Sequence, residues 1–383
     1  MLRYIDLFAG IGGFHQALNL FGETECVFAS EIDSEARSVY SRNFGITPFG
    51  DITKVKVEDI PPFDLLCAGF PCQPFSKGGN QNGFNDVRGT LFFDIVRIID
   101  YHKPKYVLLE NVQNIVKHDN GNTYKKITKT LKKLGYYLPD DVIVLSPHNL
   151  GIPVHRPRAF IPCSREKWDY SSLVEKPVKF EYTSNYIGEY FNFSSQKNKE
   201  LKISDYEFRV LNMWNEFYKG IDVKVIGFPI WYRYFKRKRV SSLLPEWKRV
   251  FIKKNILLYQ RNKEFIDSWE KKHDYLNWVT ETHKKFEWNC GLDCQSVFDG
   301  LIQFRPSGVR VKRLNYFSAL VAMNHPQIVG PLGRRLDADE TKLLQSFPSD
   351  FIVHPNRNIA LKQLGNAVNV EVVRYILNKL IYV

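Results

Sequence analysis

The N-terminal region alternates short apolar runs with amphipathic stretches, and this pattern constrains the fold more than any other feature of the chain. Tyr4–Phe8 predicts a strand, the glycines at positions 10, 12 and 13 predict a tight turn, and a helix is predicted through Leu20. Cys26–Ser30 predicts a second strand, and 34–44 predicts a second helix. Strands that alternate with helices fold into a mainly parallel sheet covered on both faces.

The same alternation continues to about residue 165 and places this part of the chain in the α/β class. Further strands are predicted at 64–68, 106–110, 142–145 and 159–163, and helices at 92–101 and 124–134. The sheet is expected to be buried on both faces, because its predicted strands are continuous apolar runs.

The middle of the chain differs from this region in composition and charge. All seven tryptophans lie between Trp168 and Trp288. The whole chain has 54 basic and 41 acidic residues, a net charge of +13, and 231–275 alone has 13 basic and 5 acidic residues. One charge run is usually a solvated helix face. The concentration of the excess charge in one aromatic segment favours a nucleic-acid partner instead.

Several classes of protein are disfavoured by the sequence. No apolar run reaches the roughly 18 residues of a membrane span, and the N-terminus has no signal-peptide core. The six cysteines are too sparse for a disulfide framework, and Cys290 and Cys294 fit no common zinc spacing. We therefore expect a cytoplasmic protein with reduced thiols, without a structural metal and without a membrane partner.

The glycine-rich turn predicts a nucleoside cofactor. Glycines between a strand and a helix let a ligand approach the backbone closely, although a lone pair of glycines is often only a tight turn. Glu31 follows Gly12 by 19 residues, at the end of the second strand, where an acid can bind ribose hydroxyls. Asp51 is expected to close a third strand near the same cleft. The turn lacks the lysine of a P-loop, which disfavours a triphosphate.

Three more segments that carry candidate site residues lie at the ends of predicted strands. Cys72 lies in the loop Gly69–Ser76 directly after the 64–68 strand, where a reactive thiol is an alternative to a buried structural cysteine. Glu110 ends the 106–110 strand, where burial would raise the pKa of its carboxyl toward use as an acid. Arg156 and Arg158 flank Pro157, which places two guanidiniums of a candidate site on a constrained segment. An exposed basic loop is the alternative interpretation.

Together these segments resemble the motifs of the cytosine-5 DNA methyltransferases, in the order of that family. The resemblance rests on Asp6–Phe14, Gly69–Ser76, Asp86–Phe92, Glu110–Val112, Arg156–Arg158, Leu344–Pro348 and Gly365–Val368. It implies a Rossmann-like S-adenosylmethionine-dependent methyltransferase domain with a mixed, mostly parallel sheet, and a smaller target-recognition domain. It assigns 1–165 and 331–383 to the catalytic and cofactor-binding domain, with the final helix beside the first motif, and 166–330 to target recognition.

The resemblance also implies a set of site residues. The catalytic residues are Cys72, Glu110, Arg156 and Arg158. S-adenosylmethionine, released as S-adenosylhomocysteine, would contact Phe8, Gly10, Gly12, Gly13, Glu31, Ile32, Asp51, Pro71, Leu91, Asn366 and Ala367. DNA would contact Gln81, Arg233, Lys236, Arg237, Lys238 and Arg239.

The implied reaction transfers a methyl group from S-adenosylmethionine to carbon 5 of a cytosine in a specific duplex sequence. The Cys72 thiolate adds to carbon 6 of a flipped-out base and makes carbon 5 nucleophilic, while Glu110 stabilises the charge on the ring. Arg158 is expected to hold the cytosine O2, and Arg156 a phosphate or the ring. Gln81 is expected to help fill the gap in the duplex, and the glycine-rich loop 78–83 that contains it is expected to be a mobile lid over the DNA. A monomeric bacterial enzyme follows, with a restriction endonuclease as its genetic partner.

The chain departs from the family pattern at a few positions, and three other functions are disfavoured by its residues. Val154 stands where many relatives have glutamine, and Ile32 stands where many have an aromatic residue. Ile60-Pro61-Pro62-Phe63 is a near match to the motif of exocyclic-amino methyltransferases, but isoleucine cannot bind the target amine. A tRNA cytosine methyltransferase is disfavoured by the long middle region. A non-catalytic DNA-binding regulator is disfavoured by the intact catalytic set.

Overall fold

The computed structural model describes residues 1–71, 91–174, 183, 186–191, 201–224, 226–319 and 327–381. These residues group into two compact units. The first unit holds the described residues within 1–181, 318–324 and 338–383, and the second holds those within 182–317 and 325–337. The chain therefore leaves the first unit twice, after residue 181 and after residue 324, and ends in the first.

A mixed sheet forms the centre of the first unit. Its strands in the described residues run in the order β2-β1-β3-β4-β7-β5. Their bounds are β1 (Leu2–Leu7), β2 (Thr24–Ser30), β3 (Leu65–Gly69), β4 (Tyr106–Val112), β5 (Ile143–Leu145) and β7 (Arg158–Ser164), with the short β6 (Val154–His155) before β7. β1 to β4 pair in parallel, whereas β7 is antiparallel to both β4 and β5. The predicted mixed, mostly parallel sheet is confirmed.

Helices cover this sheet on both faces because successive strand residues point to opposite sides. The helices are α1 (Gly13–Asn19), α2 (Ser34–Phe44), α3 (Leu91–His102), α4 (Asn122–Lys133) and the short α5 (Ser171–Val174). Leu65 and Cys67 of β3 share a core with α1 and α2, while Leu66 and Ala68 share another with α3 and α4. The two buried faces account for the unbroken apolar runs in the sequence.

The second unit has its own sheet and an aromatic core. Its helices are α6 (Tyr186–Tyr190), α7 (Asp205–Gly220), α8 (Glu246–Arg261) and α9 (Lys263–Lys272). The strands after β7 are β8 (Ile230–Trp231), β9 (Lys285–Asn289), β10 (Leu301–Arg305), β11 (Gly308–Lys312), β12 (Phe317–Ser318), β13 (Ile328–Val329) and β14 (Arg334–Arg335). The sheet has the order β14-β13-β10-β11-β9-β8. Trp214 of α7 stacks on Phe286 of β9, with ring centroids 4.9 Å apart, and Trp269 and Trp288 lie in the same buried cluster.

The C-terminal helices complete the first unit. They are α10 (Ala338–Leu344), α11 (Arg357–Asn366) and α12 (Val370–Ile381). Val373 and Leu377 of α12 lie in the same buried cluster as Phe14 and Leu18 of α1. The final helix therefore packs beside the first motif, as the resemblance implied. Across the described ranges, no helix combines the length and apolarity needed to cross a membrane.

Candidate active site

The glycine-rich turn between β1 and α1 follows an unusual backbone path. Phe8 has a φ of 55°, in a left-handed region that residues other than glycine rarely adopt. Backbone strain of this kind concentrates at functional sites. Gly10 also has a positive φ, and among the described residues no heavy atom lies within 4 Å of the position a Cβ would take there. A Cβ on Gly13, in contrast, would lie 2.6 Å from Val368 Cγ2. Gly10 therefore leaves open space for a ligand, while Gly13 is required by packing.

Glu31 lies at the end of β2 and faces this turn. Its carboxylate accepts the Gly10 N–H at 2.8 Å and the Asp33 N–H at 2.9 Å. Each oxygen keeps acceptor capacity for a ribose hydroxyl. The neighbouring Ile32 is 72% exposed, which is unusual for isoleucine and offers an apolar surface beside the carboxylate. The structure thus brings Gly10, Glu31 and Ile32 together.

The prediction that Asp51 closes a third strand is wrong. Phe49 makes only an isolated parallel bridge with Ser30, and Asp51 caps a one-turn 3₁₀ helix at Ile52–Lys54. The Asp51 carboxylate accepts the Thr53 hydroxyl at 2.8 Å and the Thr53 N–H at 3.0 Å, and these bonds lower the pKa of Asp51. A capping acid followed two residues later by a hydroxyl favours a turn over a strand. The bridge still keeps this segment beside the end of β2.

Asp6 lies near the turn and is a functional candidate beyond the predicted site residues. It is fully buried in β1, two residues before Phe8. Burial raises the pKa of Asp6 well above its ordinary range, and the charge of Glu31 raises it further. An acid at the end of an apolar strand, directly before the glycines, was the available signal.

Glu110 is the buried acid that the strand pattern predicted. It is 9% exposed, and its Oε1 lies 3.0 Å from Nε of Arg158 on the adjacent β7. Burial raises the pKa of Glu110, although the charges of Arg158 and Arg156 oppose that rise. The predicted direction of the pKa is confirmed. A carboxyl of this kind can hold a proton in the absence of substrate and give it up beside a guanidinium.

The end of β3 meets Glu110 on the neighbouring strand. Gly69 pairs with Glu110 in the parallel register, and a Cβ on Gly69 would lie 3.4 Å from Glu110 Oε2. Asn111 donates its side-chain amide to the Phe70 carbonyl at 3.2 Å, and a half-buried Pro71 follows. Asn111 thereby fixes the chain that leads to Cys72. Cys72 itself, Gln81 and the loop 78–83 lie outside the described residues.

Arg156 and the C-terminal segment meet on the other side of the site. Arg156 is buried, and its Nη2 donates to the Ala367 carbonyl at 3.1 Å. Ala367 is buried as well, whereas the preceding Asn366 is exposed at the end of α11 and available to a ligand. Leu91, the first residue of α3, is half-buried. The burial of Arg156 favours a role in holding the site together over a contact with a DNA phosphate.

The basic cluster at 233–239 divides into three parts in the second unit. Lys236 pairs with the buried Glu270 at 2.5 Å, a bond that raises the pKa of the lysine. Arg233 and Arg237 lie over the ring of Tyr234, at 4.7 and 5.3 Å from its centroid. All five basic residues of the cluster are exposed, but among the described residues Lys238 and Arg239 have no ion pair or ring contact. These last two residues are therefore the members of the cluster best placed for phosphates.

Comparisons with known proteins agree on one family. A family model described as C-5 cytosine-specific DNA methylase matches residues 2–382. The chain is 32% identical to the type II methyltransferase M.HhaI of Haemophilus parahaemolyticus, over 98% of this chain and 93% of that protein. It is also 32% identical to the type II methyltransferase M.AluI of Cellulosimicrobium cellulans, over 98% of this chain and 91% of that protein.

Solved structures show the same fold at lower identity. A putative DNA modification methyltransferase encoded within a prophage of E. coli aligns with a TM-score of 0.60 and 20% identity, over 99% of this chain and 98% of that chain. The Dnmt2 methyltransferase of S. pombe aligns with a TM-score of 0.54 and 18% identity, over 100% of this chain and 99% of that chain.

Proposed function

The chain belongs to the C-5 cytosine-specific DNA methylases, and we propose that it methylates carbon 5 of a flipped-out cytosine through a covalent bond to Cys72. It is a DNA (cytosine-5-)-methyltransferase of the kind found in type II restriction–modification systems. The observation that carries the proposed mechanism is the pairing of Gly69 with Glu110. Because of this pairing, the segment that leads to Cys72 leaves β3 at the same end of the sheet as Glu110, a buried acid paired with Arg158.

The chemistry requires a nucleophile and an acid at one pyrimidine ring. The Cys72 thiolate forms a bond to carbon 6, and the electrons displaced from the ring double bond move toward N3. Glu110 gives or shares a proton at N3, and Arg158 binds O2 while it stabilises the carboxylate that remains. Carbon 5 then takes the methyl group. Loss of the carbon-5 proton to a base, cleavage of the bond between carbon 6 and the Cys72 sulfur, and return of the N3 proton to Glu110 restore the aromatic ring, the thiolate and the acid.

The residues at the glycine turn fit S-adenosylmethionine. The open space at Gly10 admits a ligand against the backbone, and Glu31 has acceptor capacity for ribose hydroxyls. We assign the adenine to the exposed side chain of Ile32 and to Phe8. The other contacts are assigned to Gly12, Gly13, Asp51, Pro71, Leu91, Asn366 and Ala367. When bound, the cofactor supplies an electrophilic methyl group.

We assign DNA recognition to 166–330 and the catalytic domain to 1–165 together with 331–383. Exposed basic residues such as Lys238 and Arg239 would neutralise phosphates, and Gln81 would fill the gap that base flipping leaves. Unstacking the cytosine costs a few kcal/mol, which contacts in the pocket must offset. We propose that the enzyme acts as a monomer and protects DNA from a restriction endonuclease of the same cell.

Trapping with 5-fluorocytosine tests the covalent step. A duplex carrying this base at the target cannot lose a proton from carbon 5, so a complex that survives denaturation should accumulate with the wild-type protein. Cys72→Ser should give none, while Cys26→Ser should trap as well as the wild type. The target is first located by bisulfite sequencing of DNA from cells that express the protein. A wild-type protein that transfers labelled methyl groups to duplex DNA without trapping would refute the covalent mechanism.

A further inference from the structure

A turn between α11 and α12 touches both halves of the proposed site. Val368 lies against the glycine turn, since a Cβ on Gly13 would come within 2.6 Å of its Cγ2 and 3.0 Å of its carbonyl oxygen. The same side chain reaches toward β3, because a Cβ on Gly69 would lie 3.9 Å from Val368 Cγ1. A shift of Val368 would therefore disturb both the glycine-rich turn and the end of β3, which lies beside Glu110.

Gln345 holds this turn through side-chain and main-chain hydrogen bonds. It is fully buried just after α10, and its Nε2 donates to the Leu364 carbonyl at 2.6 Å and to the Ala367 carbonyl at 3.2 Å. The last carbonyls of a helix have no partner within the helix, and this amide supplies one for the end of α11. The main-chain carbonyl of Gln345 accepts the Val370 N–H at 3.1 Å. One residue thus secures the end of one helix and the start of the next.

The Ala367 carbonyl is shared between Gln345 and Arg156. Its oxygen accepts from Gln345 Nε2 at 3.2 Å and from Arg156 Nη2 at 3.1 Å, which uses both lone pairs. Arg156 precedes β7, and β7 carries the Arg158 that pairs with Glu110. Residues more than 200 positions apart therefore meet at one oxygen atom.

We propose that Gln345 is a positioning residue of the cofactor site, which holds Asn366–Val368 in place against the glycine turn. The proposal rests on the proposed role of Asn366 and Ala367 in binding S-adenosylmethionine. Gln345 acts only through the turn, so its loss should affect cofactor affinity more than chemistry on the bound substrate.

Gln345→Met keeps the length of the side chain and removes both donors. Two uncharged hydrogen bonds correspond to about a ten-fold change in affinity, so Kd for S-adenosylhomocysteine should rise about ten-fold by calorimetry. KM for S-adenosylmethionine should rise similarly, while kcat should fall less than three-fold. Gln345→Glu should bind more weakly as the pH rises, because the introduced carboxyl can donate only when it is protonated.

Asn43→Ala is the matched control. Asn43 also ties the C-terminal segment to an N-terminal helix, through two bonds to the backbone of Ile352 at 2.7 and 2.9 Å, but it does not touch the turn. This variant should lose stability and keep its cofactor affinity within two-fold of wild type.

Each outcome supports or overturns the proposal. A folded Gln345→Met protein with wild-type affinity would overturn it, and so would an equal loss in Asn43→Ala. If neither Gln345 variant folds, the residue belongs to the fold itself and the positioning role is wrong. Failure of the wild-type protein to bind S-adenosylhomocysteine would instead refute the proposed function, which the wild-type measurement tests separately.

Discussion

Removing the guanidinium beside Glu110 should make the stability of the protein depend strongly on pH. Arg158→Met keeps most of the apolar volume and leaves the buried carboxyl without its closest cation. The wild-type pair is 3.0 Å apart, and its side chains are only 20% and 11% exposed, so solvent screens it little. A hydrogen bond to a charged group in such a place contributes about 1.5–3 kcal/mol.

The direction of this pH dependence follows from the raised pKa of Glu110. Burial raises the pKa of Glu110 above its ordinary value of 4.5, and loss of Arg158 removes the main opposing charge. The folded variant then binds more protons than the unfolded chain at every pH between the two pKa values. Its stability falls as the pH rises through that window, by about 1.4 kcal/mol for each pH unit. The loss relative to wild type should be small at pH 5 and reach about 3 kcal/mol at pH 8.

Urea unfolding at pH 5, 6.5 and 8 measures this difference. The control is Arg158→Met in a Glu110→Gln background, where no carboxyl remains to titrate and the effect of the arginine should not change with pH. An equal loss of stability at pH 5 and pH 8 in the single variant would refute the reasoning. It would mean that the free energy comes from the packing of the arginine and not from the charge of Glu110.

Three further predictions follow from other parts of the structure. Glu31→Ala should weaken the binding of S-adenosylhomocysteine about ten- to hundred-fold by calorimetry and leave DNA affinity unchanged, because the acid faces the glycine turn; equal losses for both ligands would contradict this. Lys238→Ala should flatten the slope of log K against log salt by about 0.9 for duplex DNA, whereas Lys236→Ala should leave the slope unchanged and lower the melting temperature, since it leaves Glu270 buried and unpaired. Asp6→Asn should become more stable relative to wild type as the pH rises from 6 to 9, because burial raises the pKa of Asp6; a constant difference in melting temperature would contradict this.

The strands of the first unit could be predicted because their signal is local and strong. β4 is buried on both faces, so its residues form an apolar run that ends at a charged residue. Each of the six strands lies within two residues of its predicted bounds. Sheet order and the antiparallel direction of β7 depend on contacts between distant segments, and no local pattern encodes them.

The errors and omissions share a physical cause. The position of Asp51 after Phe49 and Gly50 predicts the end of a strand, but its carboxylate accepts the nearby Thr53 hydroxyl and caps a 3₁₀ turn instead. The run at 233–239 contains five basic residues and no acidic one, yet Lys236 is paired with Glu270, 34 positions later in the chain. A pattern of residue types shows which charges are present and not which of them have partners.

The two arginines of the 156–158 segment show how the site extends beyond its motifs. The resemblance assigns both of them to the substrate, and both lower the pKa of Glu110. In the structure Arg158 contacts Glu110 directly, while Arg156 donates a hydrogen bond to the Ala367 carbonyl. Arg156 can therefore hold the turn at Ala367 and act on the charge of Glu110 at the same time. Such a link would make the acid sensitive to any displacement of the C-terminal turn, although the two segments lie 211 positions apart in the chain.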